Sequence, residues 1–183
     1  SWFSTILALT ILVIAPTNGV ADEPWREFNA QVTMTTSEGT RHMPVTLIAG
    51  RFTSVEDAKR YEEVLASGGQ GALLSALRGR SDGRLRMGAL EFPVALVVAE
   101  PLRRGYRYVF VTGRRIQVEE RNESSDSLDY PFGVAVFEVD GFGRGDGQVY
   151  PQASLSVDPT DQSIEIQEYQ GDPGTLRDIK KVR

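Results

Sequence analysis

The chain contains no cysteine. Thiol nucleophiles, disulfide staples and thiolate metal sites are excluded with it. Histidine occurs once, at His42. A metal or catalytic site built on two histidines of one chain is therefore excluded, and a serine–histidine–acid triad would have to use that single residue. An excess of basic residues is missing as well: 20 Lys and Arg stand against 25 Asp and Glu, for a net charge of −5 and a pI near 5.0. Capture of nucleic acid needs a basic face that displaces counterions from phosphates, so no nucleic-acid partner is expected. No metal site and no cofactor is expected either.

What is present suffices for an ordinary folded domain. The 183 residues are 40% hydrophobic and 25% charged, which fits one domain with a core large enough to dispense with disulfides. Residues 1–21 carry no charge, and Trp2 to Ala15 is apolar apart from Ser4, Thr5 and Thr10. Pro16-Thr17-Asn18 ends that run, and Gly19-Val20-Ala21 places small residues where a signal peptidase cuts. The apolar run is shorter than the ~20 residues that span a bilayer. The expectation is a signal peptide over 1–21, a single domain over 22–183, export to the periplasm or the medium, and no membrane span after cleavage. No Lys or Arg precedes the run and the chain opens on Ser, so a start upstream of Ser1 is expected.

Downstream the pattern is that of strands. Phe28, Ala30, Val32 and Met34 alternate with Asn29, Gln31, Thr33 and Thr35, the period of a half-buried strand. Ser37-Glu38-Gly39 reads as a turn into a second strand over Met43–Phe52. Ser54 followed by Glu56 and Asp57 reads as a capped helix start. Val55, Ala58, Tyr61 and Leu65 continue at helical spacing. Gly68-Gly69 predicts a stop, and Gln70–Leu77 a second short helix. The remainder predicts strands over Arg84–Gly88, Phe92–Ala99, Tyr106–Thr112, Arg115–Glu120, Phe132–Val139, Gln148–Val157 and Ser163–Tyr169. A last strand over Thr175–Val182 has enough charge to suit a sheet edge. Phe92–Ala99 and Phe132–Val139 are apolar on both faces and belong in the middle of the sheet. The fold class expected is α+β: a mainly antiparallel sheet of eight to nine strands, curled into a barrel or folded as a sandwich, with a two-helix insertion after the second strand.

Several stretches could carry function. Asp140 to Gly147 is glycine-rich, yet no Lys-Ser/Thr and no helix follow it, as a phosphate loop requires. Asp140 and Asp146 could serve a cation, and a hairpin turn accounts for the stretch more simply. Asp129-Tyr130-Pro131-Phe132 leads from a polar loop into an apolar strand. It offers a carboxylate and two aromatics at the mouth of a binding site, or else a strand-entry corner in which Asp129 satisfies backbone donors. Arg103, Arg104, Arg107, Arg114 and Arg115 fall along one hairpin, where guanidinium groups could receive an anion or meet Glu119, Glu120 and Glu123 across strands. The candidate binding residues are Asp129, Tyr130, Phe132, Arg107 and Arg114, and no catalytic residue is assigned.

Particular residues also carry a resemblance: Gly68-Gly69-Gln70 with Ala72-Leu73-Leu74 and Ala76-Leu77, then Gly105, Arg107, Thr112 and Arg114, then Ser127-Leu128-Asp129-Tyr130-Pro131-Phe132, and Glu168-Tyr169 with Pro173 near the end. In this order and spacing the chain resembles a family of short exported bacterial proteins of unknown function. The resemblance implies export and one continuous domain, and it transfers no catalytic residue. The leading expectation is a non-enzymatic binding module for a small molecule, a lipid or a protein partner. The alternatives are a carboxylate hydrolase, with Asp129 and Glu120 as the acids, and an envelope interaction protein working through a sheet edge or the helices.

Overall fold

The computed structural model describes residues 25–117, 129–157 and 164–182. Its elements follow in the order β1 (Arg26–Thr36), β2 (Gly39–Ala49), α1 (Val55–Ala76), β3 (Gly83–Met87), β4 (Leu90–Leu102), β5 (Gly105–Thr112), β6 (Phe132–Val139), β7 (Arg144–Val157), β8 (Ile164–Tyr169) and β9 (Gly174–Lys181). Strands β1 to β6 form an antiparallel meander, and β6 continues to β7. β9 then lies between β7 and β1 and closes the sheet. The result is an antiparallel barrel of 8 strands with β8 outside it, paired to the second half of β7. Closure removes the open edges that invite pairing with other chains.

Two expectations are corrected here. The stretch at 175–182 is not an edge strand. Its Leu176 and Ile179 are buried, and its backbone bonds to strands on both sides, so β8 is the outlying strand instead. The helical region is one 22-residue element rather than two helices, bent where Gly69 takes φ 69° and ψ −162°. The helical geometry does break at Gly69, where the stop is expected, but as a kink and not an end: Tyr61 and Leu65 before it, and Leu73 and Leu77 after it, bury against the same wall of the barrel. The start is as expected: the Ser54 hydroxyl accepts a hydrogen bond from the Asp57 N–H at 3.1 Å. Residues 115–117, where the strand over Arg115–Glu120 is expected to begin, lie outside the regular elements, and 118–120 lie outside the described residues.

Two cores share one sheet. Inside the barrel, Phe28, Tyr108, Phe110 and Phe137 form a connected aromatic group with ring centroids 4.9–5.5 Å apart. Val32, Leu47, Leu85, Val97 and Leu176 surround it. An eight-stranded barrel has an interior about wide enough for side chains to fill, and here side chains occupy it. On the outside, α1 covers β4 to β7, burying Leu96, Val109, Val111, Phe132, Val134 and Leu155. This explains the strands that are apolar on both faces: one face looks into the barrel and the other lies under the helix. Gln70, just past the bend, fastens α1 to β7. Its side chain donates to the Leu155 carbonyl and accepts from the Leu155 N–H at 2.9 Å.

Candidate functional site

Buried side chains pack the interior, and two recesses formed by the described residues lie on the outside of the barrel. One is a cleft of about 410 Å³ where the end of α1 meets β4 and β5. Leu74, Leu77 and Pro93 give it an apolar floor, and Arg78, Arg80 and Arg114 line it with guanidinium groups. The geometry comes from the helix ending. Leu77 caps α1, with its N–H on the Leu73 carbonyl. Gly79 then takes φ 79°, where a side chain would be strained. The Arg80 N–H returns to the Leu77 carbonyl at 3.1 Å. This tight reversal sets Arg78 and Arg80 beside the chain segment that leaves β5 at Gly113 and Arg114.

The three arginines differ in how their charge is met. Arg80 belongs to an ionic network: it donates to Asp82 at 2.7 Å, to Asp57 at 3.1 Å and to the Tyr61 hydroxyl at 2.8 Å. Asp82, with a fully buried side chain, also receives Arg51 at 2.7 Å. Burial opposes the Arg80 charge, but the bonds and charge of Asp82, with help from Tyr61 and Asp57, keep its pKa above the ordinary arginine value. Arg114 is held by the Glu91 carbonyl at 3.2 Å and by the face of Phe92 at 5.2 Å, neither of which neutralises it. Arg78 has no ion-pair partner among the described residues. Among the described residues no acid lines the cleft, and there Arg78 and Arg114 present their charge over an apolar floor without a carboxylate partner. Ser81 also lines it, without a histidine or carboxylate beside it in the lining to serve as a base.

A second, larger recess of about 760 Å³ lies beside Trp25, Ile48 and Arg84. Its cations are matched: Arg84 and Arg86 both face Glu91, at 3.9 and 2.7 Å, and the Arg86 bond holds the Glu91 carboxyl below its usual range.

The structure separates the residues singled out from sequence. Arg114 lines the cleft. Arg107 is engaged by Glu138 at 2.6 Å and Glu100 at 3.4 Å. Phe132 is fully buried under α1. Tyr130 donates to Glu168 at 3.1 Å, and that bond, with the Glu168 charge, raises its pKa. Its carbonyl accepts from Arg115 at 2.8 Å. Asp129 is exposed, while Glu119, Glu120 and Glu123 lie outside the described residues. Asp140 serves the turn itself, accepting from the N–H groups of Phe142 and Arg144 at 2.8 and 3.0 Å. His42 meets Thr33 across the first hairpin at 2.9 Å. Among the described residues, no three His, Asp or Glu side chains converge where a metal could sit, and no helix is long and apolar enough to cross a membrane. The sequence reading missed Arg78 and Arg80. Their signal was the Arg-Gly-Arg immediately after a helix end, where glycine predicts a reversal that brings both arginines to one side.

The class these features define is a small, filled antiparallel barrel with one outer helix and a cationic cleft at that helix's end. Compared with protein-family models, with curated proteins and with solved structures, the chain matches none.

Proposed function

We propose that this chain is an exported, non-enzymatic binding module whose ligand seat is the cleft at the end of α1, and that it takes a small organic anion with an apolar tail. One observation carries the reading: among the described residues, Arg78 and Arg114 stand without carboxylate partners over the floor made by Leu74, Leu77 and Pro93. Guanidinium forks suit carboxylate and phosphate oxygens, and the apolar floor gains from covering hydrocarbon. Small-ligand sites commonly combine such a lining with a few converging polar groups. The uncharged, apolar leader over residues 1–21 supports export.

Octanoate is a suitable probe, with octanol as its neutral counterpart. Isothermal titration is expected to show saturable octanoate binding, at least tenfold weaker binding of octanol, and a loss of about tenfold or more in the double variant Arg78→Ala/Arg114→Ala. Equal binding of the acid and the alcohol, or undiminished binding by the variant, would overturn the reading.

A further inference from the structure

Several guanidinium groups of this acidic chain are matched by carboxylates. Arg41, Arg51, Arg60, Arg80, Arg86 and Arg107 all have ion-pair partners. Apart from Arg78 and Arg114 in the cleft, a further set of cations lies at one rim of the barrel. Arg103 and Arg104 form the turn between β4 and β5, Arg144 opens β7, and Lys180 and Lys181 end β9. None of these has an ion pair among the described residues.

The topology makes these segments neighbours. Gly105 closes the first turn so tightly against β6 that a Cβ there would stand 1.9 Å from the Val139 carbonyl oxygen. Val139 is followed by the β6–β7 turn. Arg144 pairs with Lys180 across the ladder, and the Lys181 N–H bonds to the Gly143 carbonyl at 2.7 Å. The acids closest to the turns are already engaged: Asp140 accepts the two backbone N–H groups of its own turn, and Glu100 and Glu138 hold Arg107. Asp146 and Asp178 sit two residues along their strands from Arg144 and Lys180, and Glu27 of β1 lies beside the end of β9.

At the tip of this cationic rim stands Phe142, 91% exposed. It is held there rather than left on a slack loop. Its own N–H is fixed by Asp140, the Gly143 N–H bonds to the Asp140 carbonyl at 3.0 Å, and β9 braces Gly143 from the side. A rigid apolar tip ringed by unpaired cations is the pattern of a peripheral membrane contact: the cations meet lipid phosphates while the aromatic enters the headgroup layer. Either feature alone gives weak attachment, and together they add.

We propose that the rim formed by the β4–β5 turn, the β6–β7 turn and the end of β9 docks on an anionic lipid surface, with Phe142 as the inserted residue. This rests on different residues from the cleft and stands or falls separately.

The test is co-sedimentation of the whole chain with vesicles of phosphatidylcholine alone and of phosphatidylcholine with phosphatidylglycerol, at low and high salt. Binding is expected only to the anionic vesicles and is lost at high salt, where surface attraction is screened. Phe142→Ser, a change on the outer surface that leaves the turn's hydrogen bonds in place, is expected to weaken partitioning by about tenfold. Arg103→Glu/Arg104→Glu is expected to weaken it by about tenfold or more. Circular dichroism and thermal unfolding confirm that both variants are folded. No binding to anionic vesicles at low salt overturns the proposal, and so does binding that both folded variants retain in full. Binding to soluble poly-glutamate as strong as to vesicles, and indifferent to Phe142→Ser, would assign the rim to an acidic polymer and not to lipid.

Discussion

At the scale of single residues, this fold depends on one buried carboxylate. Asp82 lies between Arg51 and Arg80, its side chain fully buried, while the Arg51 side chain is 69% exposed. Its backbone is engaged too: the carbonyl accepts from the N–H groups of Gly50 and Arg51, and the N–H bonds to Val94. Removing the carboxylate strands Arg80 beside a hole in a partly dry environment, though Asp57 still faces it. Asp82→Ala is therefore expected to cost about 3 kcal/mol, the lower end of what is lost when one partner of a buried pair is removed. Arg51→Ala, which removes an exposed partner, is expected to cost at most about 1 kcal/mol. Urea unfolding of the two variants checks the asymmetry, and equal losses would show that Asp82 is not the anchor. Residue chemistry of this kind was only partly legible. Arg114 stood out because arginines cluster along its hairpin, but Arg78 and Arg80 join it only after α1 has docked. Arg107 stood out for the same reason as Arg114. Its glutamate partners come from β4 and β6, one of them 31 residues away, so its neutralisation could not be read locally.

At the scale of elements, alternation predicted the strands well because each strand has an inside and an outside. Phe92–Ala99 and Phe132–Val139 broke the alternation, and the reason is physical: their outer faces lie under α1. Gly68-Gly69 marks a real break in helical geometry, and tertiary contacts on both sides of it keep the two segments in one kinked element. Gly69 occupies a backbone region that is essentially reserved for glycine, and a Cβ there would meet no atom within 4 Å. Gly69→Ala should thus cost about 1–3 kcal/mol through backbone strain alone. The bend lets Gln70 reach Leu155 while Leu73 and Leu77 stay buried. If the bend serves that anchor, Gly69→Ala lowers the thermal midpoint and speeds hydrogen exchange at the Leu155 amide. A more stable variant, straightened by alanine's better helix propensity, would show that the bend is tolerated rather than required.

At the scale of the whole molecule, the barrel is closed by its two ends. β1 pairs with β9, so Phe28 lies opposite Lys181 and Val32 opposite Leu176. No local pattern announces this. The charges of 175–182 suggested an edge, and closure depends on strand number, tilt and stagger. Bulges in the β1–β9, β4–β5, β6–β7 and β7–β9 pairings supply curvature. Such long-range closure places folding in the slow range typical of non-local β topologies, about milliseconds to seconds. It also means that the last strand cannot be spared. Without residues 174–183 the barrel loses the buried Leu176 and Ile179 and exposes the facing edges of β1 and β7. A chain ending at Pro173 is expected to lose its single cooperative unfolding transition and to associate through those edges, as read by circular dichroism melting and size-exclusion chromatography. If the shortened chain stays monomeric and melts cooperatively, β1 and β7 must find each other without β9, and the barrel is held by its meander and the helix rather than by closure of its ends.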